Sequence, residues 1–290
     1  MNGTRAEFRA ENYDLAATLA SGQVFRWSES GGEWSGVVGG RWVGLRAEGG
    51  RIFARTAAPV ADWDWLRHYL QLDVDLAEVL AAFPRGDEAL QRAVCACRGL
   101  RLLRQEPWEC LASFICSSTK QIVQIRQIIA LLSRRFGEPV PVPAGREPAW
   151  SFPSWGRLAE VSEAELRECK LGFRAPYLRG TAQKLAGGDA DLGGLSKLSI
   201  DNARAALMEF PGVGGKIADC VLLFACGFSE AFPVDVWIMR ALRRHYFPRR
   251  SVKPARLRRF IRGHFGPRAG YAQQYLFHHL RVKEREAESA

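Results

Sequence analysis

The sequence predicts an α+β protein: an N-terminal antiparallel β-sheet subdomain packed on a mostly helical body. Two observations carry this. Short runs of aromatic and β-branched residues, parted by Gly-Gly pairs, fill residues 8 to about 70. From Asp62 onward apolar residues recur at helical spacing instead, with Pro or Ser standing where helices can start.

In chain order, residues 24–27, 34–38, 42–46 and 51–55 read as strands, with Gly31-Gly32, Gly39-Gly40 and Gly49-Gly50 as turns. Taken alone, such a sheet is a structural cap on the next domain. Pro107 suits a first helical position, and Trp108, Leu111, Ala112, Phe114 and Ile115 give that helix an apolar face. Ser117-Ser118-Thr119 can cap the next helix, whose face includes Ile122, Ile125, Ile129 and Leu132 and which Gly137 can stop. Residues 138–155 are Pro-rich and read as a loop. Ser199 can cap a helix running to Leu207. A tight turn, a helix over about 215–226, another over about 235–246 and a last over about 271–283 follow. The predicted units are 1–75, 76–283 with a helix-hairpin-helix at about 200–226, and a polar tail, 284–290, expected to fray.

A chain of 290 residues can bury a real core in two or three subdomains. Lys plus Arg (41) exceeds Asp plus Glu (31) by ten, which favours a polyanionic partner such as DNA, RNA or an anionic membrane surface. No run of about 18 apolar residues occurs, so no membrane span is expected. The first residues hold no apolar signal-peptide core, which points to a cytoplasmic location. Seven Cys residues are scattered along the chain and read as free thiols, and none forms a C-x-x-C zinc pattern. Neither a metal nor a cofactor is expected from these spacings.

The segment 208–216 carries the chemistry. Pro211-Gly212-Val213-Gly214 between two helical patterns makes a hairpin whose backbone N–H groups, at Gly212, Val213, Gly214 and Gly215, can grip a phosphate. It places Lys216 in the first turn of the following helix. Asp235 stands 19 residues later, in Phe232-Pro233-Val234-Asp235. An amine and a carboxylate beside a phosphate grip are the parts needed to break a sugar–base bond in DNA. A base inside a duplex must be rotated out before it can be attacked. The amine must be neutral to attack, and a helix N-terminus disfavours an ammonium. The carboxylate can offset the cationic sugar that develops. Two blander readings stay open: a hairpin that only holds DNA backbone, and an Asp235 that only caps the helix it precedes. Hairpin amides and carbonyls can also share a monovalent cation with a phosphate.

This segment resembles the helix-hairpin-helix-Gly/Pro-Asp superfamily of DNA base-excision glycosylases, and further motifs resemble its 8-oxoguanine DNA glycosylase family. Ser21-Gly22-Gln23-Val24-Phe25-Arg26-Trp27 looks like the family's SGQ-x-FRW strand. The resemblance implies that the Gly22 carbonyl accepts N7–H of the oxidised base, a hydrogen that guanine lacks. Cys220, one turn after Lys216, would pack against the base and pair electrostatically with the lysine. Gly270-Tyr271-Ala272-Gln273-Gln274-Tyr275-Leu276-Phe277 looks like the last helix, where Gln273 would read the base edge and Phe277 stack on its ring. Leu171-Gly172-Phe173-Arg174-Ala175 matches a segment in which Phe173 would wedge into the gap and Arg174 bond the orphaned base. Each has a plainer alternative: a turn glycine, an inert core thiol, an amphipathic helix, core packing and a solvated charge. The four-Cys iron–sulfur loop of some related glycosylases is absent.

The chain also departs from the family. Thr119-Lys120-Gln121 replaces an Asn triplet and Gln124 stands where an Arg is usual, both at positions that contact the estranged cytosine. Trp237 replaces a phosphate-contacting His of eukaryotic members. Opposite-base discrimination is therefore expected to be looser, in a bacterial, nucleoid-associated branch. The resemblance implies a glycosylase and abasic-site lyase acting on double-stranded DNA containing 8-oxoguanine, with no membrane partner and no cofactor; a monomer is expected, since a single module can engage one lesion. The alternatives are the same fold acting on alkylated purine, and a non-enzymatic helix-hairpin-helix DNA-binding protein.

Overall fold

Residues 51–60 form the longest strand of an antiparallel sheet, and its neighbours explain how the N-terminal subdomain is built. In the computed structural model, which describes residues 3–248 and 252–289 and side chains as far as 282, the strands are β1 (Gly3–Arg9), β2 (Ser28–Ser30), β3 (Glu33–Val38), β4 (Arg41–Glu48) and β5 (Arg51–Val60). Their order is β1-β5-β4-β3-β2. The three Gly-Gly pairs turn between consecutive strands with positive φ throughout, as read from sequence. β1 was not anticipated. It pairs with β5 and buries only Ala6 and Phe8, so its run of charged residues hid a two-residue apolar alternation.

One helix, Leu15–Ala20, interrupts the region read as β-rich, and Asp64–Leu70 opens the helical pattern read from Asp62. Asp14 caps the first by accepting the Ala17 N–H at 2.8 Å. Residues 24–27 are not a strand. Val24, Phe25 and Trp27 are buried, but in an irregular segment outside the sheet's ladder. Gln23, fully buried, donates from Nε2 to Thr18, Ser21 and Arg101 and accepts the Leu103 N–H at 2.8 Å. Gln105 donates to the Gln23 carbonyl at 2.7 Å. Buried amides thus stitch the sheet subdomain to the helical body.

Two apolar clusters result. One lies under the sheet, around Phe8, Leu19, Trp27, Leu45, Trp63 and Leu66. The larger fills the helical body around Trp108, Phe114, Leu132, Leu178, Leu207 and Tyr275. The Pro107–Cys116 helix has Pro at its start, as expected. The Ile122–Phe136 helix ends at Gly137, but its cap is Gln121 and not the Ser117-Ser118-Thr119 run. Ser117 turns back and donates to the Phe114 carbonyl at 2.7 Å. The loop read at 138–155 holds a two-residue ladder, Pro139–Val140 with Ala149–Trp150. The last helix is longer than read, Ala269–Ser289; its backbone is helical through most of the segment expected to fray, and residue 290 lies outside the described residues. Among the described residues, no helix is long and apolar enough to cross a membrane.

Candidate active site

The hairpin forms where the sequence placed it. Ser199 caps the Ile200–Met208 helix, and Gly214 precedes the Gly215–Val221 helix, which continues as a π-turn over Leu222–Cys226. Phe210 and Val213 are buried and root the turn. Gly212 has φ +74°, and a Cβ there would meet the Tyr177 ring at 2.6 Å, so both conformation and space require glycine. Beside Gly214 and Gly215 no atom lies within 4 Å of a Cβ position, leaving that backbone approachable from outside.

Lys216 leaves this first turn toward the interior. Its Nζ donates to Ser117 Oγ at 3.2 Å and lies 5.1 Å from the centroid of the Phe114 ring. One wall is therefore polar and the other an aromatic face. Cys220 is buried one turn on. Burial pushes its thiol up to about 12 against the opposing pull of the Lys216 charge, so it faces the site as a neutral thiol. Asp235 caps the Val236–His245 helix, accepting the Ile238 N–H at 2.8 Å. Burial raises its carboxyl above the usual aspartate range, opposed by the Ile238 N–H, the Lys216 charge and the Trp237 N–H. A fixed carboxylate with a raised pKa beside an amine is an arrangement common at catalytic sites.

Both groups line one cleft of about 1070 Å³ together with Gly22, Cys220, Gln273, Phe277 and Thr119. Gly22 has φ +86° in the bend after the Leu15–Ala20 helix. Gln273 is 4% exposed, and its Oε1 has no partner within the protein among the described residues. A buried acceptor without a donor is unfavourable unless a ligand supplies one. Gln124, Phe173, Arg174 and the hairpin residues Gly212, Val213, Gly214 and Gly215 do not line this cleft. Phe173 stands on a 3-10 turn, Gly172–Arg174, at 54% exposure and edge-on to Tyr177. Arg174 is not a solvated charge: it is 2% exposed. Its guanidinium donates to the Leu171 carbonyl at 3.0 Å, to the Ser118 carbonyl and to Thr119 Oγ1 at 2.6 Å. Thr119 itself has φ +55°, unusual for a β-branched residue. Gln124 is exposed and accepts the Gln121 N–H at 3.1 Å, closing the cap of its own helix.

Sequence reasoning passed over Ser117, Gln23 and Arg281, whose partners are far away in the chain. It also missed a segregation of charge that needs only counting. Residues 236–268 hold eleven Arg and Lys and no Asp or Glu, leaving 30 basic against 31 acidic residues elsewhere. On the Val236–His245 helix Arg240, Arg243 and Arg244 are exposed, and on Pro254–Phe265 so are Arg256, Arg258 and Arg259. Arg240 and Arg243 also line the cleft beside Asp235 and Trp237.

Comparison with known proteins agrees with this geometry. Residues 5–111 match the 8-oxoguanine DNA glycosylase N-terminal domain, and residues 112–265 match the HhH-GPD superfamily of base excision DNA repair proteins. The chain is 33% identical to N-glycosylase/DNA lyase OGG1 of Arabidopsis thaliana over 91% of its length and 76% of that protein. It superposes on MBOgg1, solved with a low-affinity DNA ligand, with TM-score 0.91 and 33% identity over 97% of each chain. It also superposes on the Clostridium acetobutylicum 8-oxoguanine glycosylase/lyase, solved with double-stranded DNA containing cytosine opposite 8-oxoG. That match has TM-score 0.87 and 30% identity over 97% of this chain and 98% of that one. Two contiguous domain matches and likeness over nearly the whole length leave one assignment: the chain belongs to the 8-oxoguanine DNA glycosylase/lyase family of the HhH-GPD superfamily.

Proposed function

We propose that the protein excises 8-oxoguanine from duplex DNA and then nicks the resulting abasic site. The observation that carries this is the convergence, in one cleft, of Lys216, Asp235 and the unpartnered Gln273 acceptor. With the lesion rotated into the cleft, the Lys216 amine attacks the anomeric carbon. The bond to the base breaks, and the base leaves with the electron pair and takes up a proton. Asp235 offsets the positive charge on the sugar and carries protons away from the amine. Ring opening gives an imine; loss of a sugar C2′ proton then expels the 3′ phosphate. Hydrolysis of the imine frees the lysine. Gly22 accepts N7–H of the oxidised base, Gln273 accepts from its edge and Phe277 stacks on it, while Phe173, Arg174, Thr119 and Gln124 face the other strand.

The amine and carboxylate supply this chemistry without a cofactor. The open backbone at Gly214 and Gly215 suits a phosphate, and a monovalent cation shared with it. A monomer suffices, because all these groups come from one chain, and the DNA places the enzyme at the nucleoid in the cytoplasm of a bacterium.

Borohydride trapping on duplexes carrying one 8-oxoguanine opposite each of the four bases tests the reading. A covalent adduct is expected, lost in Lys216→Gln, with excision lower by about a thousandfold or more while binding persists. Binding without an adduct on any duplex would move the assignment to an alkylated-purine glycosylase or to a non-enzymatic binder.

A further inference from the structure

The last helix carries a residue that none of these roles uses. Arg281 lines the same cleft, one turn beyond Phe277 and two beyond Gln273 and Gln274. Its Nη1 donates to the Ser21 carbonyl at 3.2 Å. Its guanidinium carbon lies 5.4 Å from the centroid of the Phe277 ring. Gln274 reaches the same Ser21 carbonyl at 3.4 Å. That carbonyl belongs to the peptide leading into Gly22, so what holds it also sets the orientation of Gly22. Space around the glycine is fully used: a Cβ there would meet Ile122 at 2.6 Å, Arg281 at 3.0 Å and Phe277 at 3.4 Å. Gly22 has no side chain to fix it, and φ +86° is a conformation that glycine shares with many alternatives. Something outside the segment must select it.

The geometry points to Arg281 as a positioning residue for lesion recognition, coupling the Gly22 backbone to the Phe277 ring so that the two elements that read the base are held in one mutual arrangement. The inference rests on the proposal that these two elements read the base. The chemistry suits arginine. A planar guanidinium can donate in its own plane to a carbonyl while its face lies against an aromatic ring, which an ammonium cannot do at once. Sheet subdomain and helical body, more than 250 residues apart in sequence at this contact, are thereby joined at the floor of the site.

The distinguishing experiment compares two activities of the full chain. Excision of 8-oxoguanine needs the base to be read, whereas nicking of a preformed abasic site has no base to read. Single-turnover rates for both are measured for wild type and for Arg281→Ala, Arg281→Met and Arg281→Lys, with the thermal midpoint of each. The ratio of excision to nicking is expected to fall by about tenfold or more in the Ala and Met variants, since the Met stem fills space without donating. Lys is expected to recover part of the loss, because its ammonium can donate to the same carbonyl but presents no planar face to the ring. An equal fall in both activities, tracking a lower midpoint, would overturn the inference in favour of a merely structural arginine, as would an unaltered ratio in all three variants. A wild type that nicks abasic sites but leaves 8-oxoguanine in place would overturn the parent reading and this one with it, and that result is visible before any variant is made.

Discussion

On one side of the cleft, Gly22 is enclosed by Ile122, Arg281 and Phe277, and Cys220 and Gln273 are buried in the free protein. On the other side, residues 117–124 and 172–174 meet across a single buried guanidinium, Arg174, with a left-handed Thr119 below it and an exposed Phe173 beside it. The first wall keeps the family's residues, whereas the second keeps Phe173 and Arg174 but departs at Thr119-Lys120-Gln121 and Gln124. On the proposed reading, the first wall tells an oxidised purine from guanine by one hydrogen, which leaves it little room for variation. The second wall, proposed to face the other strand, holds its shape through polar contacts between loops, and it can change residues without disturbing the core.

The largest effect expected, after loss of Lys216, is at Asp235. Its carboxyl pKa is raised in the fold, so the acid form persists to higher pH than for an ordinary aspartate, and this group's contribution to stability declines as pH rises through the folded value. Excision needs the ionised form and is expected to fall on the acid side at a pH above the usual aspartate titration. Asp235→Asn keeps an acceptor for the Ile238 N–H and so the cap, but is expected to cut excision by about a hundredfold and remove that acid limb. A pH–rate profile with an unshifted limb in the variant would separate Asp235 from the chemistry.

Phe277→Ala sharpens the comparison on the preformed wall: excision of 8-oxoguanine is expected to fall by tens of fold, roughly, more than nicking of an abasic duplex does. On the opposite wall, Arg174→Ala removes the bonds to Ser118 and Thr119 and is expected to shrink the preference for cytosine over the other three bases by about tenfold. Equal losses on all four duplexes would show that the guanidinium serves only the loop. The smallest stability effect belongs to Phe173→Ala. An exposed side chain can be removed at a cost within about 0.5 kcal/mol, yet affinity for a lesion duplex is expected to drop several-fold as a stacking partner is lost. If the melting midpoint falls instead, Phe173 is a packing residue and the contrast between the walls fails.

What the sequence made legible follows the range of the interactions. The hairpin, the lysine after it and the aspartate cap are local, and turn chemistry and capping specify them within a few residues. So are the Gly-Gly turns of the sheet. Residues 24–27 misled because their aromatic and β-branched residues are those of a strand, while the segment is entered through a buried Gln23 held by hydrogen bonds to residues up to 82 positions away. Arg174 could not be told from a solvated charge, since two of its three acceptors lie 55 and 56 residues back in the chain. The Ser117-Ser118-Thr119 run satisfies every local rule for a helix cap, but Ser117 is turned back to Phe114 and shared with Lys216. Tertiary contact outweighed local preference at each of these places.

The concentration of cations in residues 236–268, two of which, Arg240 and Arg243, line the cleft, gives the molecule a basic side there beyond a uniform excess of charge. A particle with one basic side feels a torque as well as an attraction near a rod-like polyanion. The basic side turns inward while the two are still separated by solvent, within a screening length of about 8–10 Å at moderate salt. Arg240 and Arg243 set that side beside the cleft, so the encounter favours an orientation before any surface touches. Rotational search, and not only distance, is shortened by where eleven side chains sit in the sequence.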